Sequence, residues 1–147
     1  MVFRRFYQWI TMLIALAVVG VIGLGFYAAN VRKLRGLSGE RTFYLDSPSS
    51  QGVRKEKLSV LDIFRVEGES VRFLRTEETE ENLVARIRGQ YGAKVIFSEK
   101  VDGVTSYYCY TSGWDNGIDL DGVVVNLHIA VSEGACVVGT PIIFDGF

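Results

Sequence analysis

The sequence predicts an α+β fold: an N-terminal transmembrane helix followed by one helix packed on a curved antiparallel sheet of four to five strands. Three observations carry this reading. From Phe6 to Val31 the chain holds no charged residue. One later stretch, near residues 77–90, repeats its apolar residues at helical spacing. The remaining chain alternates apolar and polar residues around two Asp-Gly pairs, a favoured two-residue hairpin turn.

The first element is the apolar run Trp9–Ala29. A helix crossing a bilayer needs about 20 apolar residues, and this run meets that length. A retained signal-anchor and a cleaved signal peptide compete for it. A signal peptide has a shorter apolar region and a small-x-small cleavage site. Here Gly23-x-Gly25 is the nearest such pair, and the reading favours retention. Arg4 and Arg5 precede the run, and Arg32, Lys33 and Arg35 follow it. That balance sets orientation weakly; a short basic start before the first apolar segment favours the carboxyl domain outside the cell membrane. The pattern Gly23-x-Gly25-x-x-Ala28 imitates a dinucleotide fingerprint but follows no strand. The expected organisation is a basic segment 1–8, a single-pass signal-anchor 9–29, a juxtamembrane stalk 30–40 and one extracytoplasmic domain 41–147.

Charge separates these parts. Of 16 Lys and Arg, five flank the run (Arg4, Arg5, Arg32, Lys33 and Arg35), leaving 11 beyond residue 35 against all 17 Asp and Glu, a net −6. From Val101 to Phe147 there is no Lys or Arg. Binding to phosphate backbones requires positive charge, so nucleic acid is not an expected partner.

The domain's elements follow in order. Arg41–Leu45 reads as a short strand, and residues 46–50 as a turn-forming loop. In Lys57–Phe64, Ser59 is placed to cap a short helical turn, with an extended course as the alternative. Val71–Leu74 reads as a strand. The helix is expected from about Glu77 to Gln90, capped by Thr76, with glutamates in its first turns, an apolar face of Leu83, Val84, Ile87 and Tyr91, and Gly89 or Gly92 ending it. Two hairpins follow: Ala93–Lys100 with Val104–Thr111 around Asp102-Gly103, and Ile118–Leu120 with Val123–Val131 around Asp121-Gly122. Val123, Val125, Leu127, Ile129 and Val131 share one face of their strand; Val124, Asn126, His128 and Ala130 share the other. Ala135–Phe144 reads as a last strand, with Pro141 suited to an edge or bulge.

Candidate chemistry is sparse. His128 is the one histidine and has no second ligand at useful spacing, so the reading is a surface or hydrogen-bonded side chain. Cys109 and Cys136 are either a disulfide or two buried thiols, depending on strand order. The loop Trp114–Gly122 lacks the two key ligands of a calcium loop, and no metal or cofactor is expected. Tyr108, Tyr110 and Trp114, with Asp115 and His128, form the candidate interaction surface. Packing is the competing use of these aromatics.

The segment Glu81–Phe147 resembles the carboxyl half of the YwmB family, membrane-linked or exported proteins of Gram-positive bacteria. The resemblance rests on Tyr91-Gly-Ala-Lys94, Ser106-Tyr-Tyr-Cys-Tyr-Thr111, Val125-Asn-Leu-His-Ile-Ala-Val131 and Gly139-Thr-Pro-Ile-Ile143. It implies a fold similar to that of the TATA-binding protein, without implying DNA binding, and it offers no catalytic residues. The expectation is a non-enzymatic anchored domain binding an envelope or membrane-protein partner. The alternatives are a ligand-binding or hydrolytic domain acting on cell-envelope polymer, which needs the candidate residues to converge on a pocket, and a domain facing the cytoplasm.

Overall fold

The computed structural model describes residues 2–46 and 53–144. It separates into two units, Met1–Arg32 and Lys33–Phe147. The first is helix α1 (Val2–Val31), which takes in the short segment ahead of the apolar run. Within it, Tyr7–Ala28 spans 22 residues and is long and apolar enough to cross a membrane.

The second unit is an α+β domain built on a seven-stranded antiparallel sheet, larger than the four to five strands expected. The strands are β1 (Glu40–Leu45), β2 (Val53–Lys55), β3 (Val66–Leu74), β4 (Lys94–Val101), β5 (Val104–Tyr110), β8 (Leu127–Val131) and β9 (Ala135–Thr140), in the order β2-β1-β3-β9-β8-β5-β4. The additional strands come from residues 40–74, whose partner β9 lies far along the chain. A separate hairpin, β6 (Ile118–Leu120) with β7 (Val123–Val125), interrupts the path from β5 to β8. Asp102 and Gly103, and Asp121 and Gly122, all take positive φ, as the expected two-residue turns require. Beyond Asp46, the expected loop 46–50 lies outside the described residues.

One helix, α2 (Glu80–Tyr91), covers one face of the sheet. Its start falls later than expected: Thr79 is the cap, its hydroxyl accepting from the Asn82 amide at 3.4 Å, and only Glu80 and Glu81 lie in the first turn. Gly92 ends it in the left-handed conformation at φ 59°. Leu83, Val84 and Ile87 meet Val71, Leu127, Ile129, Val131 and Val138 from the sheet. The Tyr107 hydroxyl donates to Glu80 Oε1 at 2.7 Å and ties the helix start to β5.

Three sequence expectations change here. From Lys33 on, the segment read as a stalk belongs to the domain, with Leu34 and Leu37 buried in the core with α2. The last strand ends at Thr140 and lies centrally between β3 and β8, so Pro141 follows the strand instead of occupying an edge. The long strand expected at 123–131 is broken at Asn126, where the chain passes from the small hairpin into the main sheet. The 3-10 turn Asp62–Arg65 forms, but Leu61, not Ser59, is its cap residue and makes no side-chain cap bond. Ser59 and Asp62 bond reciprocally: Asp62 Oδ2 accepts from the Ser59 amide at 2.8 Å and hydroxyl at 2.7 Å, and the Asp62 amide donates to Ser59 Oγ at 3.4 Å.

Candidate functional site

The five candidate residues divide between the two faces of the sheet. Tyr108 and His128 lie on the face away from α2. They are direct cross-strand partners, and Phe97 of β4 is the partner of Tyr108 on its other side. The result is a stack across three strands: Phe97 on Tyr108 and Tyr108 on His128, each pair with ring centroids 4.4 Å apart and planes 16° apart. Strand register brings the rings opposite one another, and offset stacking holds them. Tyr110, two residues along β5, shares this face and is exposed.

The next position across the sheet from His128 is Gly139. A Cβ built there would stand 2.8 Å from Ile143 Cγ1 and 2.9 Å from the Ile143 amide nitrogen. The missing side chain lets residues 141–144 fold back over this face, and the Ile143 amide donates to His128 Nδ1 at 3.3 Å. Phe144 packs on Tyr44 with centroids 4.9 Å apart. Burial pushes the His128 pKa down to about 4, so the imidazole is neutral and able to accept this bond at neutral pH. Its Nε2 has no hydrogen-bond partner among the described residues. Burial, and then donation to Glu99 Oε1 at 2.6 Å, push the Tyr108 hydroxyl up to about 12.

Trp114 and Asp115 belong to the helix side. Trp114 packs on Tyr91, the last residue of α2, with centroids 5.2 Å apart and planes at 53°. Asp115 pairs with Lys33 Nζ at 2.6 Å, and the same ammonium donates to Asn116 Oδ1 at 2.6 Å. That bond holds the Asp115 carboxyl below its ordinary pKa, but the side chain is 96% exposed, so the pair contributes little stability. Asn126 organises the loop from behind. Its amide oxygen accepts from the Thr111 amide, and its nitrogen donates to the Thr111 carbonyl, both at 2.8 Å. It thereby replaces the ladder partner lost where the strand breaks.

The cysteines do not pair. Cys109 on β5 is opposite Leu127, and Cys136 on β9 is opposite Val131, so β8 lies between them and their partners sit four residues apart along it. Two strand spacings alone exceed the roughly 7 Å that a disulfide tolerates between Cα atoms. Both are buried free thiols, pushed by burial up to about 11 for Cys109 and about 12 for Cys136.

One constellation escaped the sequence reading. Glu69 on β3 is only 1% exposed. Its Oε1 accepts from the Leu34 amide at 2.5 Å, and its Oε2 from Arg41 Nη1 at 2.5 Å. Arg41 Nη2 in turn donates to the carbonyls of Leu34 and Leu37, at 3.0 and 3.2 Å. A carboxylate and a guanidinium therefore clamp the entry of the chain into the domain. The available signal was the period of β3, which puts Glu69 on the same face as Val71 and Phe73. Comparison with known protein families, curated proteins and solved structures finds no match to this chain.

Proposed function

We propose that the chain is a non-enzymatic, single-pass membrane-anchored domain, displayed outside the cell membrane, that binds a protein partner at the envelope. The observation that carries this reading is the division of the candidate residues. Tyr108 and His128 are spent on a stack with Phe97, His128 also accepting from the Ile143 amide, and Trp114 and Asp115 on the opposite side are spent on Tyr91 and Lys33. A pocket acting on envelope polymer needs these groups to converge and to face a ligand. A helix of spanning length leading into the domain supports the anchor. The YwmB-like resemblance of the carboxyl half belongs to the same proposal.

Protease treatment of intact cells tests the display. Digestion of the domain before lysis is expected, and protection until lysis would overturn it. Crosslinking in cells followed by purification of the full chain tests the partner; recovery of the chain alone at every crosslinker length would count against a binding role.

A further inference from the structure

We infer that β4 is a dimerisation edge that pairs antiparallel with β4 of a second copy of this chain. The inference goes beyond the envelope partner proposed above and stands on separate observations. β4 ends the seven-stranded order, so its ladder runs only toward β5. Among the described residues no strand or loop backbone bonds to its other side. An edge strand turns alternate N–H and C=O groups outward, and another extended strand completes that row. β4 is eight residues long, holds no proline and is exposed throughout except at Val95. Ile96 is 43% and Phe97 37% exposed beside the open row. Edges of this kind are ordinarily blunted by charge or by a bulge. β4 has both, and here both fit a second copy.

The bulge sets the faces. Ile96 is the extra residue, because Val95 is opposite Cys109 and Phe97 is opposite Tyr108. Lys94 and Glu99 are five residues apart and would fall on opposite faces of a regular strand. With the bulge they lie opposite Tyr110 and Ser106, both on the face away from α2. A twofold axis between Ile96 and Phe97 then sets Lys94 opposite Glu99, Val95 opposite Ser98 and Ile96 opposite Phe97 of the second copy. Symmetry makes each contact twice, so two Lys–Glu pairs close the seam. Glu99 gives Oε1 to the Tyr108 hydroxyl, and Oε2 is the oxygen that receives Lys94. Centred on Glu99 or on Lys100 instead, the pairing would oppose like charges; centred on Ser98, it would set Glu99 against Phe97. β5, behind the seam, holds no charged residue. Lys100 is opposite Thr105 on the helix side, where its charge acts on Glu80, and it falls beyond the paired residues 94–99. Six residues from each copy make a small, transient interface.

The test is oxidative crosslinking of the full chain in the cells that produce it. Cys109 and Cys136 are buried, and the parent chain gives their background. Ile96→Cys, beside the axis, is expected to give a disulfide-linked dimer. Val101→Cys is expected to give none above background, since its two copies would stand about 30 Å apart. Adding Lys94→Glu or Glu99→Lys to Ile96→Cys is expected to lower the linked fraction about fivefold, because each sets like charges across both halves of the seam. Co-expressing these two chains is expected to restore it, since each meets its opposite charge in the other, and recovery shows that both fold. No dimer at Ile96→Cys, or equal dimer at Ile96→Cys and Val101→Cys, would overturn the pairing; this contrast needs no charge variant. Crosslinking indifferent to Lys94→Glu would overturn the register, as would a mixture that fails to recover although both chains match the parent in circular dichroism. A position-specific dimer recovered with no other protein sustains this inference and counts against the envelope partner alone.

Discussion

The two ends of the folded domain are attached by different chemistry. Residues 33–41 enter through a buried carboxylate, a guanidinium and two buried leucines. Residues 141–144 leave across the other face, held by one amide bond to a neutral imidazole and a ring contact between Phe144 and Tyr44. The first attachment combines charge with apolar burial. The second depends on a histidine remaining unprotonated in a buried place. The difference teaches that acidification and mutation should loosen opposite ends of one domain.

The largest expected effect is at the entry. Glu69→Ala leaves the Arg41 guanidinium and the Leu34 amide without their acceptor, and breaking a partly buried ion pair from one side costs about 3–5 kcal/mol. Urea unfolding of the full chain in detergent checks this; a loss below about 1 kcal/mol would reduce the clamp to an ordinary surface pair.

Acid should act at the exit. The His128 pKa is lowered to about 4 from an ordinary 6.5, so between these values the unfolded chain binds the extra proton. Its contribution is therefore complete above pH 6.5 and is lost as pH falls toward 4, by about 3 kcal/mol if the whole shift is expressed. His128→Phe keeps a ring in the stack and removes the titration. Its stability should vary less with pH across this window than that of the parent chain, and identical slopes would refute the assignment.

Gly139→Ala sharpens the same end without altering charge. The new methyl would meet the Ile142 carbonyl and the Ile143 amide, each at 2.9 Å, and backbone cannot move aside cheaply. A loss of about 2 kcal/mol is expected, with faster amide exchange at Ile143 than in the parent. The smallest effect is expected at Asp115→Ala. Its pair with Lys33 is open to water, and the change should stay within about 0.5 kcal/mol and shrink further in salt.

What the sequence made legible was local. Both Asp-Gly turns, the buried face of α2 and the alternation through Leu127, Ile129 and Val131 follow from spacing within a few residues. Pairing between distant segments was not legible. Period two tells which residues share a face but not which strand lies alongside, so β3 pairing with β9, and β1 with β3, enlarged the sheet, and β8 intervening between the cysteines removed the disulfide. The same limit scattered the candidate surface: Tyr108 and Trp114 are close in sequence, yet one stacks between Phe97 and His128 on one face and the other packs on Tyr91 at the end of α2 on the opposite face. Leu34 and Leu37 read as linker residues because their neighbours are basic, and their burial in the core and the Glu69 contact show that the chain is already inside the domain.

The clamp at Glu69 also sets a route for mechanical load. Tension applied along the chain from α1 meets the Leu34 backbone first, and there it is shared between a carboxylate on β3 and a guanidinium on β1, two adjacent strands of the sheet. A pull at this end would have to shear that junction before any strand could be peeled away.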